Sequence, residues 1–160
     1  MTIKRYFEEN RAYFATTITK DRKQLFRNEK LSKILLMTVE YYKIILDYAV
    51  YGYCLMPDHF HVIIHPKGEF TLSFIMKMIK GSFARKMNKL KQGRGSLWQQ
   101  GFYDEMIRDE RQLLKQLEYI HQNPVAANLV ESADKYPYSS FSQYYGTPNL
   151  MGHILEIDRG

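Results

Sequence analysis

Two histidines one residue apart, His59 and His61, stand at the start of the run HFHVIIH, whose β-branched and aromatic content is that of a strand. Side chains two apart on a strand share a face, so both imidazoles converge there while Phe60 faces the opposite layer. Paired imidazoles on one face are ready to hold a divalent metal; the alternative is a pair of hydrogen-bonded histidines on a polar sheet face. His65 shares that face but lies roughly 13 Å along the strand from His61, too far to share one ion, and reads as structural. A two-histidine site needs a third protein ligand, and the downstream segment LEYIHQNPVAANLV offers one. Tyr119 and Asn123 are four residues apart, one turn from each other on one face of a helix. If the Asn123 amide oxygen joins the two imidazoles, Tyr119 is held nearby. Such a ligand set suits Mg²⁺ or Mn²⁺ and also Zn²⁺. The plainer roles are a helix C-cap before Pro124 for Asn123 and a core aromatic for Tyr119. His121 points to the other side of that helix and is left out. Asp58 could orient one of the histidines but reads first as a turn residue.

These residues need a scaffold that brings a strand start against a helix face. Residues 12–19 (AYFATTIT) read as a strand. Residues 28–42 repeat Leu31, Ile34, Leu35 and Val39 at helical spacing behind Asn28 as N-cap. Residues 44–56 return to a strand pattern, and a Met-Pro-Asp turn at 56–58 joins it to the histidine strand as a hairpin. Residues 71–91 carry the apolar series Phe74, Ile75, Met78, Ile79, Phe83, Met87 and Leu90 of a long amphipathic helix that ends near Gly93. A short strand at 102–107 precedes a helix from Glu110 to Gln122, stopped by Pro124. The order β, α, β, β, α, β, α predicts an α+β sandwich of the ferredoxin-like kind, an antiparallel sheet with helices on one face. The tail from Tyr136, aromatic and punctuated by prolines, is expected to be irregular.

The chain has 160 residues, the size of one domain, with no internal repeat or linker that would divide it. Its formal charge of +6 favours a polyanionic partner. No segment approaches the ~20 apolar residues of a spanning helix, so no membrane is expected. The charged N-terminal sequence lacks the apolar core of a secretory signal. A single cysteine, Cys54, excludes an intramolecular disulfide, and the cytoplasm is the expected home.

His59-Phe60-His61 preceded by Met56-Pro57-Asp58, followed by Trp98 to Tyr103 (WQQGFY) and then by Tyr119, Ile120, Asn123, Pro124 and Val125, resembles the IS200-like transposase family. Within that family the match is best to the REP-associated tyrosine transposase branch, and it covers roughly Tyr13 to Ser140. The resemblance implies a single-tyrosine nuclease of the HUH (histidine-hydrophobe-histidine) fold. His59 and His61 would be metal ligands, Tyr119 the nucleophile, and Asn123 would take the place of the third ligand, where insertion-sequence members commonly have Gln. It further implies Mg²⁺ or Mn²⁺, cleavage and rejoining through a 5′-phosphotyrosine link, single-stranded or hairpin DNA as substrate, and a monomer or homodimer.

Residues 75–94 carry Lys77, Lys80, Arg85, Lys86, Lys89, Lys91 and Arg94 and no acid, which is the composition of a DNA-contacting surface or of a solvated helix face. Trp98, Phe102 and Tyr103 could stack unpaired bases or close the core. Competing classes are a DNA-binding module of the same fold without cleavage, a Zn²⁺-dependent hydrolase that adds Asp58 or Glu105 to the histidines, and a structural metal protein.

Overall fold

In a computed structural model the described residues are 11–146 and 153–158. The charged N-terminal segment and Thr147 with Pro148 of the tail lie outside them. Strands β1 (Ala12–Ile18), β2 (Tyr48–Met56), β3 (His59–Pro66) and β4 (Tyr103–Ile107) alternate with helices α1 (Glu29–Ile45), α2 (Leu72–Lys91) and α3 (Glu110–Ala126), in the order the sequence predicts. The sheet runs β2-β3-β1-β4 with every neighbouring pair antiparallel.

Its two faces are covered differently. Tyr13, Ala15, Tyr53, Leu55, Phe60, Val62 and Ile64 meet Leu31, Leu35 and Val39 of α1 and Ile75, Ile79 and Phe83 of α2 in the larger core. Phe14, Cys54, Met56 and Ile63 on the other face meet Leu117 and Ile120 of α3. The expectation of helices on one face is therefore corrected. The strands alternate apolar side chains on both faces, so the second face has its own apolar layer to bury, and α3 supplies the cover.

Local chemistry explains the boundaries. The Asn28 side chain accepts from the Leu31 amide at 3.3 Å, and Thr71 does the same for Phe74 at 3.2 Å, each satisfying a donor that a helix start leaves free. Residues 44 and 45, expected in the second strand, are the last turn of α1. Chain reversal waits for Asp47, whose φ of 53° breaks the helix and whose carbonyl accepts from Lys67 and Gly68. In β2 the register slips between Val50 and Gly52. That bulge switches the alternation, so Val50 and Tyr53 both face α1 and α2, while Tyr51 and Gly52 face α3.

The expected stop of α3 at Gln122 is also corrected: the helix runs through Pro124 to Ala126. Leu117, Ile120, His121 and Pro124 form one buried face, and the packing of that face outweighs the single amide that Pro124 lacks in the last turn. The tail from Tyr136 is more ordered than expected. Ser139 bridges Cys54, the Leu55 amide bonds the Tyr138 carbonyl at 2.8 Å, and a short helix α4 spans Phe141–Tyr145. Asp158 closes on Val50 further along the same edge of β2. No helix among the described residues is long and apolar enough to cross a membrane.

Candidate nuclease site

The first residue of β3 and the last turns of α3 meet on the α3 side of the sheet. His59 and His61 project to this side with ring centroids 4.6 Å apart, as the strand period requires. Because α3 does not stop before Pro124, Asn123 is inside the helix, the C-cap being Ala127, and its side chain stays on the Tyr119 face. Its Oδ1 lies 3.2 Å from His59 Nε2. Tyr119 packs its ring edge against His61 at 5.8 Å and Phe14 at 6.3 Å, yet is 54% exposed, so it is not a core aromatic. The structure thus brings together all four residues His59, His61, Tyr119 and Asn123.

The hydrogen bonds orient both imidazoles. Asp58 accepts from His59 Nδ1–H at 2.7 Å and pairs with Arg22 at 3.3 Å, so it is more than a turn residue. Burial alone would raise the Asp58 carboxyl, but the His59 bond and charge, then Arg22, hold it below its ordinary value. An ionised carboxylate can only accept, which leaves His59 Nε2 facing Asn123. When neutral, that nitrogen is a lone pair at hydrogen-bonding distance from a second acceptor. A cation between or beside the two atoms, or an overturned amide, reconciles them.

His61 carries the stronger sign. Its Nδ1 is bonded to Thr16 Oγ1 at 2.7 Å across the β1–β3 pair, and Phe14 stacks on its ring at 5.4 Å. Its Nε2 is buried without a partner, one of two such side-chain atoms among the described residues, the other being Thr17 Oγ1. If Nδ1–H donates to Thr16, Nε2 presents a lone pair to the site; in the opposite tautomer its N–H has only the Asn123 amide to turn to, without good hydrogen-bond geometry, and a buried donor left unsatisfied costs about 1–3 kcal/mol. Burial, then the neighbouring His59, push His61 down to about 3 against a smaller upward pull from the Asn123 amide. The imidazole is therefore neutral and ligand-competent at physiological pH. These donors fit a divalent cation, with Asp58 and Thr16 in the outer role that orients ligating histidines. Among the described residues no group of three His, Cys, Asp or Glu side chains is placed to hold a metal ion, and the third donor beside the two histidines is the Asn123 amide.

The transposase IS200-like family model matches residues 8–123, which is most of the chain. The chain belongs to the IS200-like transposase family. A putative REP-associated tyrosine transposase of Haemophilus influenzae is 27% identical over 151 residues, 86% of this transposase and 84% of the relative. The REP-associated tyrosine transposase of Escherichia coli is 26% identical over 95 residues, 59% of this transposase and 54% of that protein. The fold is that of a REP-associated tyrosine transposase solved bound to a REP hairpin, with a TM-score of 0.71 at 22% identity over 94% of this transposase and 91% of that chain. A putative transposase from Deinococcus radiodurans aligns with a TM-score of 0.52 at 20% identity, over 69% of this transposase and 88% of that chain.

The basic run of this transposase lies away from the histidines. Lys77, Arg85, Lys86, Lys89, Lys91 and Arg94 lie on α2 or just after it, in the layer opposite α3. Lys80 is half-buried, and its ammonium, lowered by burial, bonds the carbonyls of Gln99 and Gly101. Lys20, Lys77 and Lys80 flank a groove of about 730 Å³. Trp98 is a wall of that groove and not a stacking platform: it is 5% exposed, packs on Phe26 and Phe83, and donates Nε1–H to the Lys80 carbonyl. Tyr103, 58% exposed beside Phe14, is the ring that the fold leaves open. His65 bonds the Tyr51 hydroxyl and His121 bonds Ser140 Oγ, both outside the site, as the sequence implies. Sequence reasoning missed Thr16 and Phe14, whose only signal is their register opposite the histidine strand.

Proposed function

We propose that this transposase cleaves and rejoins single-stranded DNA through a covalent 5′-phosphotyrosine link on Tyr119. The observation that carries the reading is the convergence of His59, Asn123 and the partnerless Nε2 of His61 beside an exposed phenol one helical turn away. His59, His61 and Asn123 would hold Mg²⁺ or Mn²⁺. Bound there, the cation supplies the Lewis acidity that polarises the non-bridging oxygens of the scissile phosphate.

The protein's own groups do the rest. Tyr119 Oη forms the bond to phosphorus as the bond from phosphorus to O3′ breaks, and the phenolic proton passes by way of solvent to the departing oxygen, leaving a free 3′-OH. The reverse reaction rejoins the strand, and the phosphotyrosine conserves the phosphodiester energy, so no nucleotide cofactor is required. Phe14 packs against both His61 and Tyr119, fixing the separation of ligand and nucleophile. The basic side chains of α2 and the net charge of +6 supply phosphate contacts for the flanking DNA. A hairpin substrate agrees with the relative of the same fold solved on a REP hairpin.

The deciding experiment incubates wild type and Tyr119→Phe with labelled single-stranded and hairpin DNAs and Mg²⁺ or Mn²⁺, read by denaturing gel and intact mass. An adduct in wild type that is lost in Tyr119→Phe and in chelator is the expected result. Cleavage that persists in Tyr119→Phe refutes the tyrosine mechanism in favour of hydrolysis by water.

A further inference from the structure

A groove of about 460 Å³ opens beside Tyr119, on the side away from Asn123, between β1, β4 and α3. Phe14, Tyr103 and Tyr119 give it aromatic walls, and Glu105 of β4 lies in its lining. That volume is enough for an unpaired nucleotide, within the roughly 300–1,000 Å³ of small-ligand sites.

The Glu105 carboxylate is braced. Gln112 Nε2–H donates to its Oε1 and Gln116 Nε2–H to its Oε2, each at 3.2 Å. Gln112 is in turn fixed by the Arg108 amide at 2.9 Å and the Met106 carbonyl at 3.0 Å. Two glutamines one turn apart on α3 therefore hold the carboxylate still, in a groove whose next helical turn carries the nucleophile. No Lys or Arg among the described residues pairs with Glu105 within 4 Å. An unneutralised carboxylate repels phosphate, so a DNA cleft that holds one in place has a different use for it. A carboxylate takes up N–H donors, and those on single-stranded DNA are the amino and imino groups of the base edges.

We infer that this groove is a base pocket in which Glu105 selects an unpaired nucleobase with N–H donors on its pairing edge, next to the phosphate that Tyr119 attacks. Guanine ranks first, since its N1–H and N2–H match the two oxygens of one carboxylate, while thymine offers a single imino donor between two carbonyls. Tyr103, exposed at the groove mouth, supplies the stacking surface above the buried ring of Phe14, and Lys115 on the groove wall faces the backbone phosphates that enter with the base. The inference rests on the proposed function for its position relative to the cut, and base selection is read without cleavage.

The test is a binding selection from randomised single-stranded DNA, with and without an adjoining hairpin, in chelator so that no strand is cut. Wild type is expected to retain a pool enriched in guanine at one position, and Glu105→Gln to lose about tenfold of that enrichment. Inosine at that position, which lacks the N2 amino group, should weaken wild-type binding several-fold and leave Glu105→Gln unmoved. The inosine comparison on wild type stands alone if the variant melts early. A wild-type pool with no favoured base, or a Glu105→Gln pool with wild-type base frequencies, overturns the inference. Absence of a Tyr119 adduct with metal present refutes the proposed function instead and leaves the selection readable.

Discussion

Replacing Gly52 by alanine asks whether the distance between α3 and the sheet sets the chemistry. A Cβ at Gly52 would stand 2.3 Å from Leu117 Cδ2 and 3.4 Å from both Ile120 Cδ1 and Ser140 Oγ. Carbon atoms pack at about 3.5–4.0 Å, so the first contact must open by more than ~1 Å. Leu117 and Ile120 are buried against the sheet and cannot swing into solvent, so the helix takes up much of the displacement. Overpacking of this kind costs about 1–3 kcal/mol, which for a domain of this size lowers the melting temperature by roughly 2–12 °C. The larger effect is on the site. Tyr119 and Asn123 ride on α3 while His59 and His61 stay on β3, and a misplacement of ~1 Å between reacting groups is worth about 100-fold in rate. The assay pairs a thermal melt with the initial rate of adduct formation in Mn²⁺ for wild type, Gly52→Ala, Leu117→Ala and the double variant. Removing the Leu117 methyls opens the space the new Cβ needs, so the double variant should recover adduct rate relative to Gly52→Ala alone. A Gly52→Ala protein with wild-type melting and wild-type rate would refute the reasoning outright.

Thr16→Val removes the hydroxyl that orients His61, and adduct formation should then need about 10–100-fold more Mn²⁺ for half-maximal rate, read from a metal titration. Mn²⁺ at about 100 times its dissociation constant should stabilise wild type by ~2.7 kcal/mol in a thermal melt, and His59→Ala should abolish most of that increment. Burial pushes His121 down to about 4, below its ordinary 6.5. The unfolded chain therefore binds the proton first: the contribution is whole above pH 6.5 and falls as pH drops toward 4, by roughly 3 kcal/mol. Denaturant melts from pH 7 to 4 should show a shallower loss for His121→Asn than for wild type, and parallel curves would contradict the assignment.

The histidine pair is legible in the sequence because a strand's period of two places His59 and His61 on one face wherever the strand packs. The Tyr119–Asn123 pair is legible for the matching reason, the turn of a helix. Their meeting is not, since it depends on α3 crossing to the face away from α1 and α2 and on its last turn surviving Pro124. Both depend on the packing of Leu117 and Ile120 against Cys54, Met56 and Ile63, more than fifty residues away in the chain. Asp58 and Thr16 are ordinary turn and strand residues in one dimension and become supports for imidazoles only through register. For Trp98 the sequence leaves base stacking and core closure both open, and only the enclosing rings of Phe26 and Phe83 decide for the core.

The family model ends at residue 123, yet the edge of β2 is covered by the chain beyond that point. Backbone bonds from Tyr138 and Ser140 reach Leu55 and Tyr53, the Tyr136 hydroxyl bonds the Leu55 carbonyl, and Asp158 occupies both the amide and the carbonyl of Val50. These contacts occupy the groups by which an open edge strand recruits another chain. A fragment cut to the family-matched length would keep every proposed catalytic residue and expose a hydrophobic strand as a template for its own copies. Its failure would be sticky assembly before loss of the fold, so the family-matched segment and its seal are separable in sequence but not in solution.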